Sequence, residues 1–223
     1  WLTDNIISAY QRIKKKQFPY VGGLQDCIKS SGYGFDPEVT EFVQVININS
    51  CHWVAISTVG VSAGCIQWLD CMHSSPSDES KKVIAGMMQY HKSELVIQIM
   101  NVQRQRGSSD CGVFALALIT AICFGLDPVS MFFDQKEMRK HLLKSIVTQE
   151  ITPFPTLRKQ EKRCMIVQSE IVPVYCICRL PSNKSEMIQC SSCTMCYHME
   201  CIKLPDTVRS QKWLCFQCET LAS

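Results

Sequence analysis

The chain has 223 residues, 46% of them hydrophobic, and a formal net charge of +3. That length suits one medium domain and one small one, the charge is too small to argue for nucleic acid, and no apolar run approaches the roughly 20 residues that span a bilayer. The chain starts at Trp1 rather than Met and shows no secretory signal, so it reads as a piece of a longer protein whose upstream sequence could still carry one.

Residues 1–16 carry Leu2, Ile6, Tyr10 and Ile13 at helical spacing. Their basic end, Lys14-Lys15-Lys16, suits a solvated last turn. Phe18 to Pro37 is punctuated by Gly, Pro and Ser and reads as irregular, with a short helix around Leu24–Lys29. Four β-rich runs follow: Phe42–Ile48, Trp53–Val59, Cys65–Leu69 and Glu94–Val102. Between the last two, Lys81–Lys92 reads as a helix with Val83, Met87 and Tyr90 on one side. Asp110–Phe124 is a helix apolar nearly all round, which means burial at the centre of a domain. Ser109 or Asp110 caps its start, and Gly125 with Pro128 ends it. Gln135–Glu150 is amphipathic, built on Met138, Leu142, Leu143 and Ile146. These elements predict an α+β domain over residues 1–150, long enough to bury about two thirds of its unfolded surface. Residues 151–173 hold three prolines and the charged run Arg158-Lys159-Gln160-Glu161-Lys162-Arg163. They read as a solvated linker, with a localisation or docking patch as the alternative for the run.

The 15 cysteines are unevenly spread: eight lie between Cys176 and Cys218, and seven are scattered before them. An odd total without paired spacing in the first part argues against a disulfide framework. A reducing compartment, nucleus or cytosol, fits better.

One scattered cysteine stands apart. Cys111 follows the polar loop Gln105 to Asp110 and opens the apolar helix, where the positive end of the helix dipole favours thiolate. Thiolate is the nucleophilic form. A buried structural cysteine is the plain alternative, free Cys being among the most buried residue types. A catalytic thiol also needs a base, a group that holds the base, and donors for the oxyanion. His52, in Asn49-Ser50-Cys51-His52-Trp53, starts one strand, and Asp70, in Trp68-Leu69-Asp70, ends the next. If those strands are antiparallel neighbours, Asp70 reaches the imidazole and fixes its tautomer. Gln105, six residues before Cys111, could donate to the oxyanion together with the Cys111 N–H. His73, His91 and His141 sit in a loop or on polar helix faces.

These blocks, with Trp1-Leu2-Thr3-Asp4-Asn5-Ile6-Ile7, resemble the catalytic domain of the SUMO (sentrin), or ubiquitin-like-protein, specific cysteine proteases, a branch of the papain-like proteases. The resemblance covers nearly all of residues 1–150 and keeps the family's motif order. It implies a central mixed sheet, a buried catalytic helix, a His52, Asp70, Cys111 triad, and Gln105 in the oxyanion hole. It also implies that Trp1 and Trp53 enclose a narrow tunnel for a terminal Gly-Gly, that Asp4 contacts the modifier, and that catalysis needs no cofactor. The chain departs at Gln105-Arg106-Gly107-Ser108, where the family often has Gln-Pro-Asn-Gly.

Residues 174–220 carry Cys176, Cys178, Cys190, Cys193, His198, Cys201, Cys215 and Cys218. Pairs at this spacing suit tetrahedral zinc, and eight ligands make two closed sites. So short a segment needs metal to hold it, and a structural zinc is worth roughly 10 to 16 kcal/mol in small peptides. Cys196 competes for ligand status through Cys193-Thr194-Met195-Cys196, but only one residue separates it from His198. The histidine in fifth place, with Trp213 two residues before Cys215, resembles a PHD finger rather than a RING. That resemblance implies one zinc on Cys176, Cys178, His198 and Cys201, and another on Cys190, Cys193, Cys215 and Cys218. Tyr175 and Met187 stand at two methyl-lysine cage positions of such fingers, but Cys196 stands where the readers have Trp. A histone or other peptide contact without a cage is the alternative.

The expected function is therefore a nuclear cysteine isopeptidase that cleaves after the Gly-Gly of SUMO or a similar modifier. A finger would place it on chromatin or a peptide, with no direct nucleic-acid or membrane contact. The rivals are a non-catalytic modifier- or histone-tail-binding protein and a mobile-element or viral processing protease.

Overall fold

The computed structural model describes residues 1–26, 41–88, 93–159, 165–182, 187–204 and 212–222. Gln89–Lys92, the end of the predicted second helix with Tyr90 and His91, and residues 160–163 of the charged run lie outside them, as do residues 27–29 of the short predicted helix; Leu24–Asp26 are not helical.

The N-terminal helix α1 (Asp4–Gln17) buries Ile7, Tyr10 and Ile13, with Leu2 and Ile6 partly packed. Strand β1 (Gly22–Gly23) pairs in parallel with β2 (Phe42–Ile48). Gly23 has φ +73°, and a Cβ there would meet the Val43 carbonyl oxygen at 2.3 Å, so only glycine fits. A three-residue turn follows β2. Asn49 (φ 51°) and Ser50 (φ 56°) take left-handed conformations that suit a tight hairpin, and the chain re-enters the sheet at His52. Strand β3 (His52–Ser57) lies antiparallel to β2 and to β4 (Cys65–Leu69).

Helix α2 (Asp78–Met88) starts earlier than the apolar period suggests, because Ser77 supplies the cap: its hydroxyl accepts from Ser80 N–H at 3.2 Å. It carries the chain to β5 (Glu94–Met100), which runs parallel to β4. Helix α3 (Cys111–Cys123) follows, then β6 (Met131–Phe133) and α4 (Gln135–Thr148), which Gln149 ends in a left-handed conformation.

The segment read as a linker is not one throughout. Thr156–Lys159 forms β7 against β6, and Ile166–Pro173 forms β8 against β5. The physical reason is alternation at the end of the sheet. Val172 is buried against the α2 side and Glu170 pairs with Lys81 at 3.0 Å, while Val167 and Ile171 face out. The result is a six-stranded mixed sheet in the order β1-β2-β3-β4-β5-β8.

The sheet separates two apolar clusters. One face packs Val43, Val45, Trp53, Ala55 and Leu69 against α3 and α1. The other packs Ile56, Ile66, Trp68, Leu95 and Ile97 against Ile84 and Ala85 of α2. Helix α3 is buried from Cys111 to Ala121, as its all-round apolar sequence predicts. This is the expected α+β architecture with a central mixed sheet and a buried helix.

Two side chains differ from expectation. Leu143 of α4 is exposed, while Met138 and Leu142 hold the core and Ile146 packs beside them. Lys14 is not part of a solvated turn: it is 0% exposed. It shares the buried face of α1 with Tyr10, one turn away, and its Nζ donates to Thr120 Oγ1 at 2.6 Å and to the Leu116 carbonyl at 3.3 Å. Burial pulls its pKa down to about 7.

After β8, Tyr175 bridges to Leu180, and β9 (Met187–Gln189) pairs antiparallel with β10 (Cys196–His198). Short helices α5 (Met199–Ile202) and α6 (Phe216–Ala222) complete the small unit. Its own apolar cluster is minor: Ile188, Tyr197 and Met199 among the buried cysteines.

Candidate active site and metal clusters

The antiparallel register of β3 and β4, Ala55 opposite Leu69, sets the start of one strand beside the end of the other. His52 and Asp70 therefore meet, with His52 Nε2 2.8 Å from Asp70 Oδ1. Asp70 is 2% exposed, and its second oxygen accepts from the Ser74 backbone N–H at 3.0 Å and from the Ser74 hydroxyl. Oδ1 also accepts from Met72 N–H at 2.8 Å. Burial alone would raise this carboxyl, but the bonds from His52, Ser74 and Met72 outweigh it and hold the pKa below the ordinary range.

Cys111 opens α3, and its thiol reaches the His52 side chain. Burial would raise the thiol. Hydrogen bonds from His52, from the Trp53 backbone and from Gly112, with the imidazolium charge, lower it instead. Burial likewise works against protonated His52, but Asp70 and Cys111 push its pKa up to about 10. The resting state that this environment favours is thiolate and imidazolium.

The loop before Cys111 is held on both sides. Gln105 N–H donates to the Cys71 carbonyl at 3.0 Å, its Oε1 accepts from the Cys71 thiol at 3.2 Å, and its Nε2 donates to the Gly107 carbonyl at 2.8 Å. Asp110 occupies the cap position of α3 but makes no side-chain cap bond. Its carboxylate turns to α4, where Gln135 Nε2 lies at 2.6 Å and Arg139 Nη2 at 2.7 Å. Gln135 also bonds both N–H and C=O of Arg106, and Arg139 bonds the Ser109 carbonyl. Sequence reasoning missed this clamp. Its one sequence signal is the spacing of Gln135 and Arg139, one helical turn apart, which says nothing about a loop 25 or more residues away.

Trp53 is buried, and its Nε1 donates to the Leu2 carbonyl at 3.2 Å, which ties the N-terminus to the site. Gly112 explains the closeness: a Cβ there would lie 3.0 Å from Trp53 Cδ1 and 3.2 Å from Leu2 Cβ. Trp1 is exposed at the chain start, and Asp4 lies exposed in the first turn of α1. Of the other histidines, His73 bonds the Val102 carbonyl and His141 the Thr152 carbonyl.

In the second unit, two groups of four ligand atoms lie within 4.8 Å of one another: Cys176, Cys178, His198 and Cys201, and Cys190, Cys193, Cys215 and Cys218. Cys196 belongs to neither. A tetrahedral ion about 2.3 Å from each sulfur sets sulfurs about 3.8 Å apart. Cys193 Sγ and Cys215 Sγ are 3.7 Å apart, so the donor set fits zinc. His198 presents Nδ1 to its cluster, 3.3 Å from Cys178 Sγ, while the buried Nε2 has no hydrogen-bond partner among the described residues.

Residues 42–152 match the model of the Ulp1 protease family, C-terminal catalytic domain, and residues 176–218 match that of the PHD finger. Among solved structures, a SUMO protease Ulp1 with its catalytic cysteine oxidised to a sulfenic acid is similar at 17% identity and TM-score 0.49, covering 66% of this chain and 78% of that one. The Ulp1 protease domain in complex with SMT3, the yeast ortholog of SUMO, is similar at 16% identity and TM-score 0.49, covering 67% and 77%. The Xanthomonas campestris effector protein XopD bound to ubiquitin is similar at 16% identity and TM-score 0.44, covering 65% and 90%.

Proposed function

Taking the chain as a Ulp1-family catalytic domain, that of a cysteine-type peptidase, joined to a PHD finger, we propose that it is an isopeptidase that cleaves after the C-terminal Gly-Gly of SUMO or a related ubiquitin-like modifier. The observation that carries this reading is the meeting of Cys111 with the His52–Asp70 pair at the start of a buried helix.

The Cys111 thiolate attacks the carbonyl carbon of the terminal glycine, and the carbonyl pair moves onto oxygen. Gln105 Nε2 and the Cys111 N–H donate to that oxyanion. The oxyanion collapses, the C–N bond breaks, and the His52 imidazolium gives its proton to the leaving lysine amine, leaving a thioester. His52, now neutral, takes a proton from water. The resulting hydroxide adds to the thioester, and Cys111 leaves as thiolate beside a re-formed imidazolium. Asp70 keeps the imidazole in one tautomer throughout. Trp1 and Trp53 flank the diglycine in this reading, and Asp4 meets the modifier's folded part.

The finger is a zinc-held module, with Cys176, Cys178, His198 and Cys201 on one ion and Cys190, Cys193, Cys215 and Cys218 on a second. The zinc supplies fold, not chemistry. In this reading it binds a histone tail or other peptide and holds the protease near nuclear, chromatin-bound conjugates.

A cleavage panel tests the substrate. SUMO, ubiquitin and related modifiers, each joined to a lysine peptide through an isopeptide bond, are incubated with the chain and with Cys111→Ser. Cleavage of one modifier class, lost in Cys111→Ser, is expected; cleavage of none contradicts the reading.

A further inference from the structure

We propose that Cys71 is a positioning residue that sets the face of the Gln105 carboxamide; this rests on the hydrolytic reading above. Cys71 directly follows Asp70 and is 2% exposed. It holds Gln105 twice, by the backbone bond at 3.0 Å and by its thiol, which donates to Oε1 at 3.2 Å. On the far side, Gln105 Nε2 meets the Gly107 carbonyl at 2.8 Å.

A flipped carboxamide would set oxygen against the Gly107 carbonyl oxygen and its NH2 against the thiol proton. Both neighbours therefore select the same orientation, with Nε2 toward the loop that leads into Cys111. Nε2 has a second proton, which the Gly107 bond does not use. The thiol must stay protonated to act as a donor. Burial does most of this, and the charges of Asp70 and Cys111 add to it, driving the Cys71 pKa far above an ordinary thiol's. Two cysteines of one site are thus held in opposite states: Cys111 as the nucleophile, Cys71 as a neutral donor.

Alanine and serine at position 71 separate the donor from the packing, because the two side chains have nearly the same volume and only serine returns a proton. With a modifier–isopeptide substrate, Cys71→Ala should lower kcat about 10- to 100-fold and leave KM within about twofold. Cys71→Ser should recover most of kcat. In a Gln105→Ala background, Cys71→Ala should cost little more, since the residue it positions is gone. Alkylation of Cys111 by iodoacetamide, which needs no oxyanion donor, should proceed at the wild-type rate in every Cys71 variant. Equal kcat for the alanine and serine variants, or an undiminished loss in the Gln105→Ala background, overturns this role. A wild-type chain that hydrolyses no diglycine amide sinks both readings, whereas a hydrolysing wild type with equal variants sinks only this one.

Discussion

Two basic side chains toward opposite ends of α3, His52 half-buried and Lys14 fully buried, show how much the surroundings of one side chain decide. His52 keeps its proton because Asp70 and the Cys111 thiolate face it; Lys14 tends to lose its proton because burial among the Thr120 hydroxyl, the Leu116 carbonyl and the Tyr10 ring outweighs the opposing pull of the nearby Cys123 thiol. For the first, Cys111 alkylation by iodoacetamide should stay nearly level from pH 8 to pH 6, where a free thiol of ordinary pKa slows about tenfold per unit. His52→Ala should restore that steep slope. A wild-type rate that falls like a free thiol's would refute the ion pair. For the second, the sign follows from linkage. Folded Lys14 titrates near pH 7 and the unfolded chain near 10.4, so between those values the unfolded state binds more protons and stability rises with pH. Lys14→Met should therefore gain most on the wild type below pH 7 and lose that advantage toward pH 10. Denaturation at pH 6, 8 and 9.5 reads the difference, and a constant difference would contradict the burial account.

The elements of the candidate site were legible because each chemical group sits at an end of a strongly patterned element. His52 follows an Asn-Ser turn, Asp70 closes a strand, and Cys111 starts a helix apolar on all sides. Local pattern does not carry contacts made far away. The basic run at the end of α1 looks solvated until Thr120 and Leu116 of α3 pack on Lys14, and the clamp of α4 on the 106–110 loop joins residues about 30 apart. The clamp makes its own prediction. Arg139→Ala should loosen the loop and lower kcat by about three- to tenfold, with little change in Cys111 alkylation, since the loop positions the oxyanion side and not the thiolate. Equal losses in kcat and alkylation would place the effect on the triad instead. Strand β8 was missed for another reason: prolines and neighbouring charges masked an alternation that has meaning only against the end of β5. Val172→Ala should then cost about 1 to 2 kcal/mol, and Val167→Ala, on the open face, about 0.5 kcal/mol or less. Thermal loss of Cys111 reactivity measures both. A linker would show no such contrast.

At the scale of the molecule, two ways of holding a fold are joined end to end. The first domain is held by two apolar clusters on either face of one sheet; the second fully buries only a few apolar side chains besides cysteine among its described residues and gathers eight metal-ligand side chains in two sets. Strand β8 runs into the finger, and Leu180 returns to pack on the α2 side of the sheet. Metal analysis should give two zinc ions per chain, and a strong chelator should unfold residues 174–220 while leaving Cys111 reactive. One ion or none would undo the ligand assignment. The central claim is narrower: Cys111 acts as a nucleophile on a carbonyl delivered by a modifier's C-terminus. A ubiquitin-like modifier ending in an electrophile, with intact mass as the readout, tests it most directly. One adduct per chain on Cys111 is predicted, lost in Cys111→Ser and kept in Cys51→Ser; an adduct that survives Cys111→Ser would contradict the account.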